Sequence, residues 1–243
     1  MEFIIALHPY LLVQANGYCL KMLLAILVLS LFVYSPQLQA DEKYTANECF
    51  EKFSRGTLKF NQGLDKVIFK PVSSVYRLLP SPIKTGVSNS LDNLSNVVTI
   101  PNNILQGDFS NAGINTGRFV INTTLGILGI FDVATYLGFT EYVKEDYGQS
   151  LAKHGFGPGC YIVLPVLGPS TARDTVASLT NFMGGDAWYN VTVRNDTHYF
   201  RDVDYYASKI TKGIDFRAKN YDSIENLEKN SIDFYASVKS LYL

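Results

Sequence analysis

Apolar side chains recur three or four residues apart in the early part of the chain. This spacing predicts an amphipathic helix over Phe60–Leu79, with Pro71 expected to kink or split it. Pro80 and Pro82 are expected to end the helix, because proline disfavours helical backbone at the residue before it. The positions that carry the pattern are Leu64, Val67, Ile68, Val72, Val75, Tyr76 and Leu79.

A second helix is predicted directly after the first one. Ser81 can cap it with Pro82 at its first position, and Pro101 is expected to break it. Its apolar positions are Ile83, Val87, Leu91 and Leu94. The same spacing predicts one or two long amphipathic helices over Tyr199–Leu243. The pattern as a whole indicates a mainly α fold, one helical domain with few or no strands.

The run Phe119–Phe131 contains thirteen residues without a charge, which is too short to span a bilayer as a helix. We expect a buried core helix, in which Gly126 and Gly129 permit close packing. A shallow re-entrant segment and a strand-like piece remain alternatives, and contact with a membrane is compatible with each of them.

A second uncharged run, His154–Ala172, is nineteen residues long, about the length of a membrane span. No regular helix is expected there, because four glycines and three prolines interrupt it: Gly155, Gly157, Pro158, Gly159, Pro165, Gly168 and Pro169. Irregular backbone at membrane depth must be buried in protein or line a cavity. The run therefore indicates a protein that handles apolar or amphipathic cargo, although an ordinary buried loop has the same pattern.

Charged residues border both uncharged runs. Arg118 and Asp132 enclose the first run, and Arg173 and Asp174 follow the second. These side chains could contact polar lipid headgroups, or form ion pairs that hold the runs together at a membrane boundary. The simpler alternative is that these four residues cap helices or form ordinary ion pairs at the surface.

Composition narrows the class of protein only modestly. The net charge of −1 gives no electrostatic case for nucleic acid as a partner. Sixteen Tyr and fifteen Phe against one Trp suit a membrane boundary, and they equally suit a compositional bias. The 243 residues suffice for one large domain, which we predict over 41–243.

The first forty residues resemble a targeting segment. Lys21 precedes a short apolar core, Met22–Tyr34, and small residues follow it, so we expect a signal over 1–40 that is cleaved after Ala40. An uncleaved N-terminal anchor is the alternative. The apolar extension before Lys21 is either a mis-assigned start or an unusually long leader.

The residues that could support catalysis or bind a metal are few. Cys49 and Cys160 would remain after cleavage and could pair, but two separate small apolar side chains are the expected arrangement. No C-x-x-C motif or Cys/His cluster indicates a metal site or cofactor. Cys160 with His154 is the one candidate pair of nucleophile and base. We therefore expect a protein that is not an enzyme, with a thiol hydrolase as the remote alternative.

Several motifs, in order, resemble the MlaA (VacJ) lipoprotein family. The most specific is D-Y-G-Q-S-L-A-K-H-G-F-G-P-G-C-Y-I-V-L-P-V-L-G-P-S-T-A-R-D at Asp146–Asp174, and G-R-F-V-I-N-T-T-L-G-I-L-G-I-F-D-V-A at Gly117–Ala134 is also close. Shorter matches are F-N-Q-G-L-D-K-V-I-F-K-P-V-S-S-V-Y-R at Phe60–Arg77, G-V-S-N at Gly86–Asn89 and N-I-L-Q-G-D at Asn103–Asp108. The resemblance covers roughly 51–174.

This resemblance implies a ring-like helical protein in the inner leaflet of a Gram-negative outer membrane. Such proteins move mislocalised phospholipid from the outer leaflet towards a periplasmic lipid-carrier protein, associate with a porin trimer and perform no catalysis. A structural, porin-associated envelope protein without a transfer role is the alternative.

The chain departs from the family pattern at three places. The family's lipobox cysteine is missing after the apolar core, where Asp41 follows Ala40, so we expect membrane attachment through the body of the protein. E-G-F-N-R appears as E-K-F-S-R at Glu51–Arg55. G-P-G-P-Y appears as G-P-G-C-Y at Gly157–Tyr161, which removes a proline and is expected to soften that loop.

These observations lead to one hypothesis for the site. Both uncharged runs line or adjoin an amphipathic passage for lipid, with Arg118, Asp132, Arg173 and Asp174 at its rims. The candidate channel or membrane-facing residues are Phe119, Leu125, Leu128, Phe131, Tyr161, Val163, Leu164 and Leu167.

Overall fold

A computed structural model of the chain describes residues 49–243. The signal over 1–40, its cleavage after Ala40 and the absent lipobox cysteine lie outside the described residues, so these stay predictions. Among residues 49–243, no helix combines the length and the apolar character that a membrane crossing needs.

The first helical unit begins earlier than predicted. Helix α1 covers Glu51–Leu64 and α2 covers Lys70–Arg77, and a π-helical turn, Asp65–Phe69, joins them. Pro71 lies in the first turn of α2, directly after the π-helical turn. The backbone stays helical through the π-helical turn and past Pro71, so Pro71 does not split the helix.

Helix α3, Ser81–Leu105, contradicts two predictions. Pro80 occupies the N-cap position and no side chain caps the helix, so Ser81 is not the cap, although Pro82 lies in the first turn as expected. Pro101 lies inside the helix instead of breaking it. Packing decides this, because the neighbouring Asn102 is fully buried and its Nδ2 donates to the Val98 carbonyl oxygen at 2.8 Å.

Helix α4, Phe109–Thr124, packs against α3 through a polar interface. Asp108 caps α4 by accepting from the Asn111 backbone N–H at 3.0 Å. Asn115 Nδ2 donates to Asn103 Oδ1 at 2.8 Å within the interface. Buried asparagines on the two helices are Asn93, Asn96, Asn102, Asn103, Asn115 and Asn122. Specific amide contacts therefore take the place of an apolar seam.

The run Phe119–Phe131 is only partly helical, so the predicted core helix is wrong for its second half. The helix ends at Thr124, and the following residues, 125–131, form a tight loop that we call the apolar loop. A Cβ on Gly126 would lie 2.2 Å from the Phe131 carbonyl oxygen, and Gly129 has a φ of +88°. The close packing predicted for the two glycines is therefore confirmed.

The run His154–Ala172 forms no helix, as predicted. It ends in an antiparallel hairpin of strand β1, Tyr161–Leu164, and strand β2, Gly168–Thr171. Tyr161 pairs with Thr171, and Leu164 pairs with Gly168 across the turn. Two further short helices precede the hairpin: α5, Val133–Tyr136, and α6, Tyr147–Lys153.

The remainder of the chain is helical. It contains α7, Ala172–Thr180; α8, Ala187–Tyr189; α9, Asp202–Lys219; α10, Tyr221–Asn230; and α11, Phe234–Tyr242. Two π-helical turns, Asn181–Gly185 and Asn190–Arg194, flank α8. One or two C-terminal helices were predicted, and the structure has three. The backbone leaves the helical path at Asn220 and again at Ser231.

A small apolar core connects the hairpin to both ends of the described chain. Leu58 of α1, Tyr161 and Val163 of β1 and Tyr235 of α11 form it. The Val163 N–H donates to the fully buried Ser54 hydroxyl at 3.2 Å. Cys160 and Cys49 form a disulfide, so the expectation of two separate cysteines is wrong.

The same disulfide corrects the expectation for the Gly157–Tyr161 loop. The cysteine that replaces the family's proline attaches the hairpin covalently to the segment before α1, so the change tethers the loop instead of softening it.

Candidate functional site

A cavity with a volume of about 400 Å³, which we call the larger cavity, lies between α3, the segment before α6, α7 and α9. Its apolar lining residues are Leu91, Leu94, Val97 and Val98 of α3, Leu167 from the hairpin turn, and Trp188. Its charged lining residues are Lys144, Glu145, Asp146, Asp174, Asp186, Lys209 and Lys212. The cavity is therefore amphipathic.

Protein groups already satisfy the carboxylates of this cavity. Asp186 is 1% exposed and accepts from the Trp188 backbone N–H at 2.9 Å. Asp174 accepts from Arg173 Nε at 2.8 Å and from the Tyr242 hydroxyl at 2.6 Å. Glu145 accepts from Gln106 Nε2 at 2.8 Å. Asp146 accepts from the Gln149 backbone N–H at 3.0 Å.

Lys212 is the half-buried cation of this cavity. Its ammonium group donates to the Ser95 hydroxyl, which carries no charge. Burial, together with the charges of nearby Lys144 and Lys209, lowers the pKa of Lys212 to about 8, while Asp92 acts in the opposite direction. Burial is the largest of these causes, because it disfavours the charged form of the ammonium.

The second cavity, of about 300 Å³, is lined by polar side chains. Asn93 and Asn96 lie on it, and each has a buried Oδ1 atom without a hydrogen-bond partner among the described residues. A buried amide oxygen of this kind requires a donor from water or from a ligand. The remaining lining residues are Asn89, Asp92, Arg118, Asn122, Asp132, Thr135, Glu141 and Tyr142.

A buried ion pair stabilises the wall of the second cavity. Arg118 Nη2 donates to Asp132 Oδ2 at 2.7 Å, and Arg118 Nη1 donates to the Thr140 carbonyl oxygen at 2.8 Å. Burial alone would raise the pKa of Asp132. Hydrogen bonds from Thr135 and Asn122 and the charge of Arg118 outweigh burial and hold that pKa below its usual value.

The predicted rim residues form two ion pairs. Arg118 pairs with Asp132 across the first uncharged run, and Arg173 pairs with Asp174 at 2.8 Å after the second. Asp132 also caps α5, so the capping alternative holds for it as well. Asp174 lines the larger cavity, whereas Arg118 and Asp132 line the second one. Their position at the rim of one passage stays a prediction.

The predicted channel or membrane-facing residues fall into three groups. Leu167 lines the larger cavity, and Phe119 and Leu164 are half-buried. Tyr161 and Val163 have no exposed surface and pack in the core, so a membrane-facing role is wrong for these two. The exposed group lies on the apolar loop and consists of Leu125, Leu128 and Phe131.

The apolar loop exposes several large apolar side chains. Leu128 keeps 71% of its accessible surface, and Ile127 and Leu128 adopt positive φ angles of 52° and 57°. Both angles are uncommon outside glycine, and most of all for β-branched residues. Backbone strain combined with exposed apolar side chains is typical of a surface that contacts a membrane or another protein.

Sequence reasoning did not identify the lysines of the larger cavity. Lys209 and Lys212 are one turn apart on α9, so a helical projection of this segment places them on one side. That spacing could have indicated from the sequence that the two lysines share a surface. No local sequence pattern indicates that Lys144, from another part of the chain, lines the same cavity.

The thiol-hydrolase alternative is contradicted by the disulfide. The Cys160 sulfur is bonded to Cys49, so Cys160 has no free thiol that could act as a nucleophile. His154 Nδ1 instead lies 2.8 Å from the Ser150 carbonyl oxygen.

Comparison with known proteins identifies a family for this chain. The family model described as MlaA lipoprotein matches residues 46–243, and so extends beyond the motifs at 51–174 into the C-terminal helices. The intermembrane phospholipid transport system lipoprotein MlaA of Escherichia coli is 33% identical over 199 residues, which cover 79% of this chain and 74% of that protein. An uncharacterized protein of Rickettsia prowazekii is 34% identical over 193 residues, 79% of this chain and 73% of its own length.

The fold is similar to that of a solved structure from work on the structural basis for maintenance of bacterial outer membrane lipid asymmetry. It aligns with a TM-score of 0.65 at 30% identity, covering 81% of this chain and 95% of that one. The mainly α fold predicted from the sequence is confirmed.

Proposed function

The chain belongs to the MlaA lipoprotein family, and from that premise we propose that it removes mislocalised phospholipid from the outer leaflet of an outer membrane. It passes this lipid to a periplasmic carrier protein, and it works at the periplasmic face of that membrane in association with a porin trimer. It is a transport component, and it performs no catalysis.

The amphipathic character of the larger cavity carries this proposal. A phospholipid has an apolar and a charged part, and the cavity is lined both by apolar side chains such as Leu94 and Leu167 and by charged ones such as Lys144 and Lys212. A volume of about 400 Å³ lies in the range of small-molecule sites. The exposed apolar loop supports a position in contact with lipid.

The test of this function is the phospholipid content of the protein and of the membrane. The full chain, extracted from membranes in a maltoside detergent, is expected to carry phospholipid in a near-stoichiometric amount. A strain without the gene is expected to accumulate phospholipid in its outer leaflet. A lipid-free protein and a normal outer leaflet would contradict the proposal, and a porin defect in such a strain would favour the structural alternative.

The membrane-contact part is tested separately on the apolar loop. Leu128→Asp places a charge on the loop without adding backbone strain, because aspartate tolerates a positive φ better than leucine does. We expect this variant to lose binding to phospholipid vesicles in a flotation assay. Ser240→Asp adds the same charge at an exposed position of α11 and serves as the control. Equal binding of the two variants would contradict a role of the loop.

A further inference from the structure

The second cavity is lined by more acidic than basic side chains. Three carboxylates, those of Asp92, Asp132 and Glu141, line it together with one guanidinium, that of Arg118. Arg118 and Asp132 form an ion pair, so their charges compensate each other. Asp92 and Glu141 form no ion pair with any of residues 49–243. The lining therefore carries two negative charges beyond its own ion pair.

Lys212 is a cation close enough to interact with Asp92, whose charge raises the pKa of that lysine. The Lys212 ammonium donates to the Ser95 hydroxyl, however, and it lines the larger cavity and not the second one. Its interaction with Asp92 is therefore one between charges that lie farther apart than an ion pair, and the Asp92 carboxylate oxygens stay available to a ligand.

Two buried amide oxygens of α3 at the same cavity lack a donor. Asn93 and Asn96 are 6% and 3% exposed, and the Oδ1 atom of each has no hydrogen-bond partner among residues 49–243. Asn93 Nδ2 donates to Thr123 Oγ1 at 2.9 Å, which leaves its oxygen as the unused end of the amide. A buried acceptor without a donor is unfavourable. The cavity therefore lacks both positive charge and hydrogen-bond donors.

A hydrated divalent cation supplies both. Its two charges match the two carboxylates, and the water molecules that it retains can donate to the amide oxygens. All the unused groups are oxygens, which are the ligands of hard cations such as Ca²⁺ and Mg²⁺. Residues 49–243 contain no cluster of three acidic, histidine or cysteine side chains that could hold a metal, so the ion would keep several waters, for which a cavity of about 300 Å³ has room. An ammonium group carries one charge and would compensate only one carboxylate.

We propose that Asp92 and Glu141, with the amide oxygens of Asn93 and Asn96, bind a hydrated divalent cation in the second cavity. This site shares no lining residue with the larger cavity, and it does not rest on the proposed function. Asp92 belongs to α3, and Glu141 to the segment between α5 and α6. The ion therefore joins these two parts of the chain and stabilises the folded protein.

The test is a calorimetric titration of the full chain with CaCl₂ and with MgCl₂, in a maltoside detergent, after EDTA has been added and removed. We expect one divalent cation to bind per chain with a dissociation constant of about 0.1–1 mM, because a site with only two carboxylates is weak. The bound ion is expected to raise the melting temperature, and EDTA is expected to reverse this rise.

Asp92→Asn and Glu141→Gln each remove one charge with little change of shape, and each is expected to weaken the affinity for the cation at least about 10-fold. Glu141 is exposed, so its variant keeps the fold even if Asp92→Asn is unstable. Asp196→Asn removes the same charge from an exposed position that lines neither cavity, and it is expected to bind the cation like the wild type.

Three outcomes would overturn this site, and each of them leaves the proposed function untouched. The first is a wild type that binds neither Ca²⁺ nor Mg²⁺. The second is an unchanged affinity in both Asp92→Asn and Glu141→Gln, which would place the ion elsewhere, including on anionic lipid that accompanies the protein. The third is ethanolammonium chloride that binds more tightly than either metal and loses its affinity in Glu141→Gln, which would assign the cavity to an organic ammonium.

Discussion

Replacing Asp132 by asparagine removes one negative charge beside a buried guanidinium and hardly changes the shape of the side chain. The Arg118 side chain is 4% exposed, and its Nη2 atom lies 2.7 Å from Asp132 Oδ2. Asparagine can still accept from the Thr135 backbone N–H and preserve the cap of α5. The substitution therefore keeps the side-chain volume and the cap, and removes the charge together with the oxygen that accepts from Arg118 Nη2 and the Thr135 hydroxyl.

The expected cost follows from the burial of the two partners. Breaking a fully buried ion pair costs about 3–5 kcal/mol, because one charge stays buried without compensation. Asp132 keeps 29% of its side-chain exposure, so solvent screens the pair and we expect about 2–3 kcal/mol. Asp222→Asn breaks a similar pair with Arg77, but Asp222 is 75% exposed, and its loss should cost less than about 0.5 kcal/mol.

The assay is equilibrium unfolding in urea at pH 7, followed by Trp188 fluorescence and by circular dichroism in the same detergent. The folded-state pKa of Asp132 lies below 3.8, its value in the absence of the fold. The stabilisation is therefore fully present above that pH and is lost as the pH falls through the lower folded-state pKa. A loss in Asp132→Asn no larger than that in Asp222→Asn would refute the reasoning.

Three further predictions concern stability. Cys160→Ser should lower the free energy of unfolding by about 4–5 kcal/mol, because the disulfide closes a loop with a sequence separation of 111, and dithiothreitol should then have no further effect. Gly126→Ala should lower the free energy of unfolding by about 1–3 kcal/mol, because the added Cβ clashes with the backbone across the loop. Gly113→Ala adds a Cβ in open space within α4, so it should be neutral or stabilising in the same urea titration. Asp233→Asn removes the partner of Arg55, whose hydrogen bonds lower the Asp233 pKa to about 2. The wild type should therefore melt at a higher temperature than this variant above pH 3.8, and the two melting curves should converge as the pH falls through about 2.

The candidate site was only partly readable from the sequence. The charges at the ends of the uncharged runs marked Asp174 and the pair of Arg118 and Asp132, and the cavities do contain them. The lysines were missed because Lys144 and Lys212 are far apart in the chain and share no local motif. Tyr161 was placed on the wrong surface, since an apolar side chain has the same pattern whether it faces lipid or a core.

The sequence by itself determined where regular structure could form. Seven glycines and prolines in His154–Ala172 excluded a helix, because their backbone restrictions act within a few residues. Periodic apolar positions likewise predicted the first helices. Tertiary structure alone decided that Pro101 stays inside α3 and that Cys49 reaches Cys160. Local sterics restrict each residue through its neighbours, but burial, pairing and charge compensation depend on groups that only the folded chain brings together.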